Sequence, residues 1–165
     1  MKKVIIPIIV IIIIISSILA FNSFVNLSYT RRKFDKYTFM LPKEIEYVDN
    51  DNYAKLTHDD IIDSSLAVYS YPYEIVKGKL RDYVFYDCIS EVISSKEEKL
   101  NGRKLYTVLK KLKYYDNETV TYMLGLAYEF EDDSLFIINI ECSDESKIKK
   151  FESKLKKTLI SIKEY

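Results

Sequence analysis

Apolar and polar residues alternate along several segments of the chain in the pattern of half-buried β-strands. Residues 37–41 place Tyr37, Phe39 and Leu41 at every second position, and residues 65–71 are rich in residues that favour strands. Each segment stops at a proline, which cannot donate a hydrogen bond to a β-ladder. Both segments are therefore predicted to be strands.

Two segments change to the spacing of an α-helix. Residues 79–94 are predicted to form a helix inserted midway in the sheet, because their apolar residues fall three and four apart: Val84, Phe85, Cys88, Ile89, Val92 and Ile93. A helix is also predicted at the carboxyl end, where Asp144 can cap it and an apolar stripe follows. That stripe consists of Ile148, Phe151, Leu155, Leu159 and Ile162.

Between the two helices the pattern predicts a meander of antiparallel strands. Asn101-Gly102 separates two candidate strands and is the sequence most typical of a tight hairpin turn, because both residues accept a positive φ. Residues 120–130 and 135–142 alternate again and predict two further strands. The expected fold class is α+β, an antiparallel sheet with one inserted helix and one C-terminal helix.

The amino-terminal region is almost wholly apolar. From Val4 to Phe21 only Ser16 and Ser17 are polar, and a helix of this length spans roughly 27 Å, close to the roughly 30 Å core of a bilayer. This run predicts a transmembrane signal anchor, with a cleaved export signal as the alternative. The chain divides into that segment (1–28), a short tether (29–35) and one domain (36–165).

The distribution of charge bears on topology and on partners. Lys2 and Lys3 favour a cytoplasmic amino terminus, which places the domain outside the cytoplasm, although a basic cluster at residues 31–33 opposes this orientation. The whole chain carries 25 basic and 25 acidic residues. Domains that bind nucleic acid usually carry a net positive charge, so no nucleic-acid partner is expected.

The order of elements resembles the PsbP-like (Mog1/PsbP) family. The resemblance covers residues 36–163 and runs from YTFMLPKEIEYV through a helix and NGRKLY to EFEDDSLFIINIEC and a final helix that ends LKKTLISI. It implies a PsbP/Mog1-like sandwich and a non-catalytic binding, accessory or assembly role. It transfers no active-site residue, because fold likeness does not determine function.

Few residues suggest catalysis or metal binding. His58, the only histidine, precedes Asp59, Asp60 and Asp63, and an imidazole among carboxylates could act as a general base or bind a metal ion. A solvated acidic loop is the favoured interpretation of this stretch. Asp49 begins a segment that resembles a calcium loop but lacks its glycine and its terminal acid. No catalytic residue, metal or cofactor is therefore predicted, and a hydrolase using His58 remains the alternative function.

Cysteines and tyrosines provide the remaining candidate residues. Cys88 and Cys142 could form one disulfide in an exported domain, although two buried thiols are favoured. The chain contains 15 tyrosines, and a dense group of them is a candidate contact surface, because tyrosine combines a large rigid area with a polar tip; strand propensity alone is the alternative explanation and the favoured one. This group consists of Tyr69, Tyr71, Tyr73, Tyr114 and Tyr115. The favoured function is a membrane-anchored, extracytoplasmic binding or assembly module whose partner is another envelope protein.

Overall fold

A computed structural model describes residues 11, 13–17, 28–50, 53–82, 88–116, 119–130 and 134–164. The first strands are β1 (Tyr29–Phe34), β2 (Tyr37–Pro42), β3 (Glu46–Asn50), β4 (Tyr53–Thr57) and β5 (Asp63–Tyr69). The helix α1 (Tyr73–Asp82) follows, and then β6 (Cys88–Leu100), β7 (Arg103–Tyr114), β8 (Val120–Glu129) and β9 (Leu135–Cys142). The described chain ends with α2 (Glu145–Ile160) and β10 (Lys163–Glu164).

The strands form two antiparallel sheets. Seven strands follow the order β3-β4-β5-β9-β8-β7-β6, and three follow the order β1-β2-β10. The predicted turn at Asn101-Gly102 is confirmed: both residues have positive φ, 53° and 81°, and they connect β6 to β7. The predicted α+β class and the C-terminal helix are confirmed as well.

The main core lies between the seven-stranded sheet, α2 and the small sheet. Phe151 of α2 is fully buried, and Tyr37 of β2 makes edge-to-face contacts with Phe130 and Phe136 at centroid distances of 5.1 and 4.7 Å. Asp144 caps α2 by accepting a hydrogen bond from the backbone N–H of Ser146. Through these contacts α2 packs on β8 and β9 of the large sheet and on β2 of the small sheet.

Among the described residues, α1 is the helix that packs on the opposite face of the large sheet. Tyr73, Val76 and Leu80 of this helix pack on a smaller buried cluster that includes Val108 of β7 and Ala127 of β8. A ten-residue helix is too short to cover the face of a seven-stranded sheet. The part of the face formed by β5 and β9 is left beside it.

The range predicted for the inserted helix, residues 79–94, is wrong. The helix α1 ends at Asp82, residues 83–87 lie outside the described ranges, and β6 begins at Cys88. The pairing of β6 with β7 shifts between Val92 and Ser94, a β-bulge that inserts one extra residue. That insertion breaks the two-residue alternation, so the apolar positions mimic helical spacing.

The segment predicted as a tether, residues 29–35, contains a β-strand. Residues 29–34 form β1, which pairs with β2 along its whole length from Tyr29 opposite Pro42 to Phe34 opposite Tyr37. Asp35 makes the turn with a φ of 52°, a conformation that aspartate tolerates better than most residues. Residues 29–34 are therefore part of the small sheet.

The predicted transmembrane helix falls mostly outside the described residues. Residues 11 and 13–17 are helical, whereas 1–10, 12 and 18–27 are not described. Within the described ranges, no helix combines the length and the apolar character needed to cross a bilayer.

Ion pairs attach α2 to the rest of the domain and make stability depend on pH. The Lys156 ammonium lies 2.6 Å from Glu98 of β6 and lowers the pKa of that carboxyl, and Lys154 lowers the pKa of Glu44 in the same way. A carboxyl with a lowered pKa in the folded state stabilises the fold above its unfolded pKa of 4.5, and this stabilisation is lost as the pH falls through the folded value. We expect the melting temperature to fall progressively below about pH 4.5, measured by circular dichroism.

Two variants identify the source of this dependence. Glu98→Gln is expected to reduce the change in melting temperature between neutral and acidic pH. Glu91→Gln changes an exposed acid on the same strand and is expected to leave the profile unchanged. Equal profiles for the two variants would contradict the assignment to Glu98.

Candidate binding groove

A groove runs beside α1 on the face of the sheet opposite α2. It has a volume of about 400 Å³, within the range of known ligand and peptide sites. Its apolar wall and floor include Val76 and Leu80 of α1, Met123 of β8 and Ile137 of β9. Its polar and aromatic lining includes Asp63, Ser65, Tyr69, Tyr71, Lys79, Asn139 and Glu141. We call this feature the α1 groove.

The position of α1 depends on Gly125 in β8. A Cβ atom at this residue would lie 3.1 Å from Asn139 Oδ1, 3.1 Å from Val108 Cγ1 and 3.4 Å from Leu80 Cδ2. The absence of a side chain lets Leu80 approach the sheet closely. This close approach fixes the helix as one wall of the α1 groove.

One end of the α1 groove is aromatic and basic. The rings of Tyr69 and Tyr71 lie 6.1 Å apart, and the Lys79 ammonium lies 5.2 Å from the centroid of Tyr71. The two tyrosines are 43% and 52% exposed, so their rings face solvent at the rim. Exposed aromatic side chains of this kind are typical of contact surfaces.

The other end is acidic. Asp63 and Glu141 are direct cross-strand partners in β5 and β9. The Glu141 carboxylate accepts hydrogen bonds from the Tyr114 hydroxyl at 3.0 and 3.1 Å and from Thr121 Oγ1 at 2.5 Å. Asp63 forms an ion pair with Lys55 at 3.4 Å. The carboxylate of Glu141 is thus held in place by neutral donors.

The five predicted tyrosines are only partly brought together. Tyr69 and Tyr71 line the α1 groove, and Tyr114 supports it through Glu141. Tyr73 is buried at the start of α1, where burial raises the pKa of its hydroxyl and Lys104 lies 4.9 Å from its ring centroid. Tyr115 is 63% exposed and lies beyond the end of β7, outside the groove.

Sequence reasoning missed the acidic end of the groove. Asp63 is considered only as a neighbour of His58, and Glu141 is not predicted as a site residue. The two are 78 positions apart in the chain and meet only through the register of β5 with β9. Alternation along each strand indicates a shared face, but pairing partners cannot be identified from alternation alone.

The residues around His58 do not assemble into a catalytic site. His58 Nδ1 accepts a hydrogen bond from the backbone N–H of Asp60 at 3.0 Å, and its ring packs edge-on against Phe151 at 5.1 Å. Asp60 forms an ion pair with Lys147 at 2.8 Å. Asp63 lines the α1 groove on the opposite face of the sheet.

Metal ligands do not gather at the predicted candidates. In the part of the chain that the structure describes, no group of three or more histidine, cysteine or acidic side chains is arranged to bind a metal ion. Asp49 is exposed in β3, and the following residues 51 and 52 of the calcium-like segment lie outside the described ranges.

The two cysteines are thiols on opposite faces of the large sheet. Cys142 belongs to the main core beneath α2, whereas Cys88 packs with Leu112 and Met123 on the other face. Both are fully buried.

Burial predicts that the thiols resist modification. Desolvation raises the pKa of Cys142 to about 11, so little reactive thiolate forms at neutral pH. We expect negligible reaction of the native protein with Ellman's reagent and the release of two equivalents after unfolding in guanidinium chloride. Rapid reaction in the folded state, or a disulfide detected by mass spectrometry without reductant, would contradict this prediction.

The fold now defines a structural class. No family model matches the chain, and no curated protein sequence matches it. Among solved structures, the arrangement of sheets and helices is that of PsbP/Mog1-like proteins, which confirms the resemblance at the level of the fold.

Two solved structures illustrate this similarity. The chain is similar to cyanobacterial PsbP (CyanoP) from Synechocystis sp. PCC 6803, with a TM-score of 0.58, 16% identity and coverage of 84% of this chain and 93% of that chain. It is also similar to the Ran-binding protein Mog1p of Saccharomyces cerevisiae, with a TM-score of 0.51, 9% identity and coverage of 82% and 96%.

Proposed function

We propose that the protein is a non-catalytic binding module that docks a protein partner in the α1 groove. The observation that carries this proposal is the groove itself, with apolar walls, an exposed tyrosine pair at one end and two carboxylates at the other. Interfaces usually combine an apolar, aromatic centre with polar groups at the rim. The Ran-binding activity named for Mog1p is a precedent for partner binding on this fold.

Exposed apolar side chains around the groove favour a protein over a small molecule. Ile62 lies beside the acidic end and is 57% exposed, and Ile75 of α1 is 49% exposed. Tyr69 and Tyr71 at the rim are exposed as well. An apolar surface of this kind is more typical of a protein interface than of an enclosed ligand site.

A hydrolytic role receives less support from the geometry. The lone pair of His58 Nδ1 already accepts the backbone N–H of Asp60. A general base needs a free lone pair within reach of the substrate proton. The hydrogen bond and the packing against Phe151 give His58 a structural role in the turn before β5.

Anchoring in a membrane completes the proposal. The apolar run Val4–Phe21 has the length and character of a signal anchor, and β1 begins at Tyr29. At about 3.5 Å per residue, the chain between them extends at most about 28 Å. The domain would therefore stay close to the extracytoplasmic surface of the membrane that holds the anchor. Another envelope protein is the expected partner there.

Photocrosslinking in cells tests the docking surface. Benzoylphenylalanine is introduced at Tyr71 in the groove, or at Tyr115, which is comparably exposed but outside it. We expect one dominant adduct from position 71 and none of that mass from position 115. Identical adducts from both positions, or no adduct from position 71, would count against docking in the α1 groove.

Membrane extraction tests the anchor separately. Alkaline carbonate should leave the full-length chain in the membrane pellet, and mass spectrometry should detect the intact amino-terminal region. A soluble chain that begins near Phe21 would instead support the cleaved export signal. A protease added outside the cytoplasmic membrane should digest a tag placed after Tyr165, and its protection would contradict the proposed orientation.

A further inference from the structure

We propose that the α1 groove accepts a partner segment with a basic side chain next to an apolar one, and that the basic group lies between Asp63 and Glu141. This inference rests on the proposed docking of a protein in the groove and names the chemistry of the docked segment. The apolar side chain would occupy the floor formed by Met123 and Ile137.

The unfavourable pairing of Asp63 with Glu141 is the first argument. Directly opposite side chains on antiparallel strands have Cβ atoms about 5 Å apart, and like charges at this distance destabilise the sheet. A Lys or Arg at either position would remove the repulsion without any change of fold. A cation supplied by a partner would remove it only in the complex.

The hydrogen bonds of Glu141 are the second argument. Its carboxylate contacts the hydroxyls of Tyr114 and Thr121, and within the described part of the chain these are its side-chain hydrogen-bond donors. Hydroxyls orient a carboxylate but leave its negative charge in place. Thr121 is 2% exposed, so one side of this support is fixed in the sheet. The group is therefore an oriented anion at the edge of an apolar groove.

Among the described residues, Asp63 has one ion-pair partner, and that pair is weak. Its ion pair with Lys55 measures 3.4 Å, and the two side chains are 66% and 47% exposed. Exposed pairs of this kind contribute little free energy and are screened by salt. Asp63 can therefore reorient toward a second cation at little cost.

The opposite end of the groove gives the segment a direction. Lys79 lies over Tyr71 at that end, and its ammonium would repel a second cation there. A segment with one basic residue is thus favoured in the orientation that places its charge at the Asp63–Glu141 end. Electrostatic complementarity of this kind contributes specificity more than affinity.

A peptide library tests the proposed chemistry. Random peptides as long as β5, seven residues, are displayed on phage and selected on the immobilised full-length protein in detergent. We expect enrichment of Lys or Arg adjacent to Leu, Ile, Met or an aromatic residue. A synthetic peptide from the enriched set should bind about tenfold more weakly when its basic residue is replaced by Gln, which is the loss expected for two partly exposed charge pairs.

Matched variants connect the selection to the two acids. The double variant Asp63→Asn with Glu141→Gln removes both charges and keeps acceptors for Tyr114, Thr121 and Lys55, so the fold should be retained, as a melting curve can verify. It should lose the same tenfold in affinity and all preference for basic peptides. The control Asp49→Asn with Glu91→Gln removes two exposed acids outside the groove. This control should retain both the peptide affinity and the preference for basic peptides.

The outcomes separate this inference from the proposed function. Enriched peptides without a basic preference, or binding unaffected by the double variant, would overturn the inference and leave docking in the groove intact. Enrichment that survives Ser65→Trp, which fills the groove, would place the peptides elsewhere and overturn both proposals. A failure to enrich any sequence would also overturn both.

Discussion

Phe151→Ala is expected to lower the free energy of unfolding by about 3–5 kcal/mol, the range observed when a fully buried aromatic side chain is truncated. Phe151 is completely buried in the main core and also packs against the ring of His58 at 5.1 Å. Its loss removes apolar contacts between α2 and the sheet and leaves a cavity behind. Because a domain of this size is stabilised by only about 5–15 kcal/mol, the variant should lose a large fraction of its total stability.

Ile160 provides the matched control for this prediction. It belongs to the same helix but is 42% exposed, so Ile160→Ala should change stability by no more than about 0.5 kcal/mol. Both values are measured by equilibrium unfolding in urea, with the slope of the transition checked for two-state behaviour. Equal effects at the two positions would mean that α2 does not pack on the sheet through Phe151.

Gly125→Val is expected to lower the free energy of unfolding by about 1–3 kcal/mol through overpacking. Valine favours strands more than glycine does, and this preference alone would stabilise β8 by up to about 1 kcal/mol. The opposing effect is larger, because the first added carbon would already lie 3.1 Å from Asn139 Oδ1 and Val108 Cγ1. Two further carbons would push Leu80 and its helix away from the sheet.

Gly78 provides the comparison in the same structural unit. It lies within α1, and an added Cβ would meet no atom within 4 Å. Gly78→Ala should therefore raise the free energy of unfolding by about 0.5–1 kcal/mol, because alanine favours a helix and restricts the unfolded chain. Urea unfolding of both variants should give changes of opposite sign. A stabilising effect of Gly125→Val would contradict the close packing of α1 on β8.

The elements that sequence predicts best are those with a local physical cause. The stripe from Ile148 to Leu159 repeats with the period of an α-helix and follows a capping aspartate, so α2 is predictable without tertiary information. The Asn101-Gly102 turn is equally local, because both residues accept positive φ. These local signals locate α2 and the β6–β7 turn.

The elements that were missed depend on contacts between distant residues. The strand β1 is half-polar and gains its structure by pairing with β2, and β6 carries a bulge that disguises its alternation. The α1 groove is harder to predict from sequence than either strand. It requires the close approach at Gly125 and the register that pairs Asp63 with Glu141, and neither feature is encoded in a short segment.

The central claim is that a protein partner occupies the α1 groove, and photocrosslinking in a blocked groove tests it most directly. Ser65 lines the groove, so Ser65→Trp should fill it with an indole, whereas Ile160→Trp places the same side chain at an exposed position of α2, on the other face of the sheet. Each change is combined with benzoylphenylalanine at Tyr71 in living cells, and adducts are quantified against the unblocked protein. We expect Ser65→Trp to abolish the dominant adduct and Ile160→Trp to retain it. An adduct that persists when the groove is filled would contradict the claim.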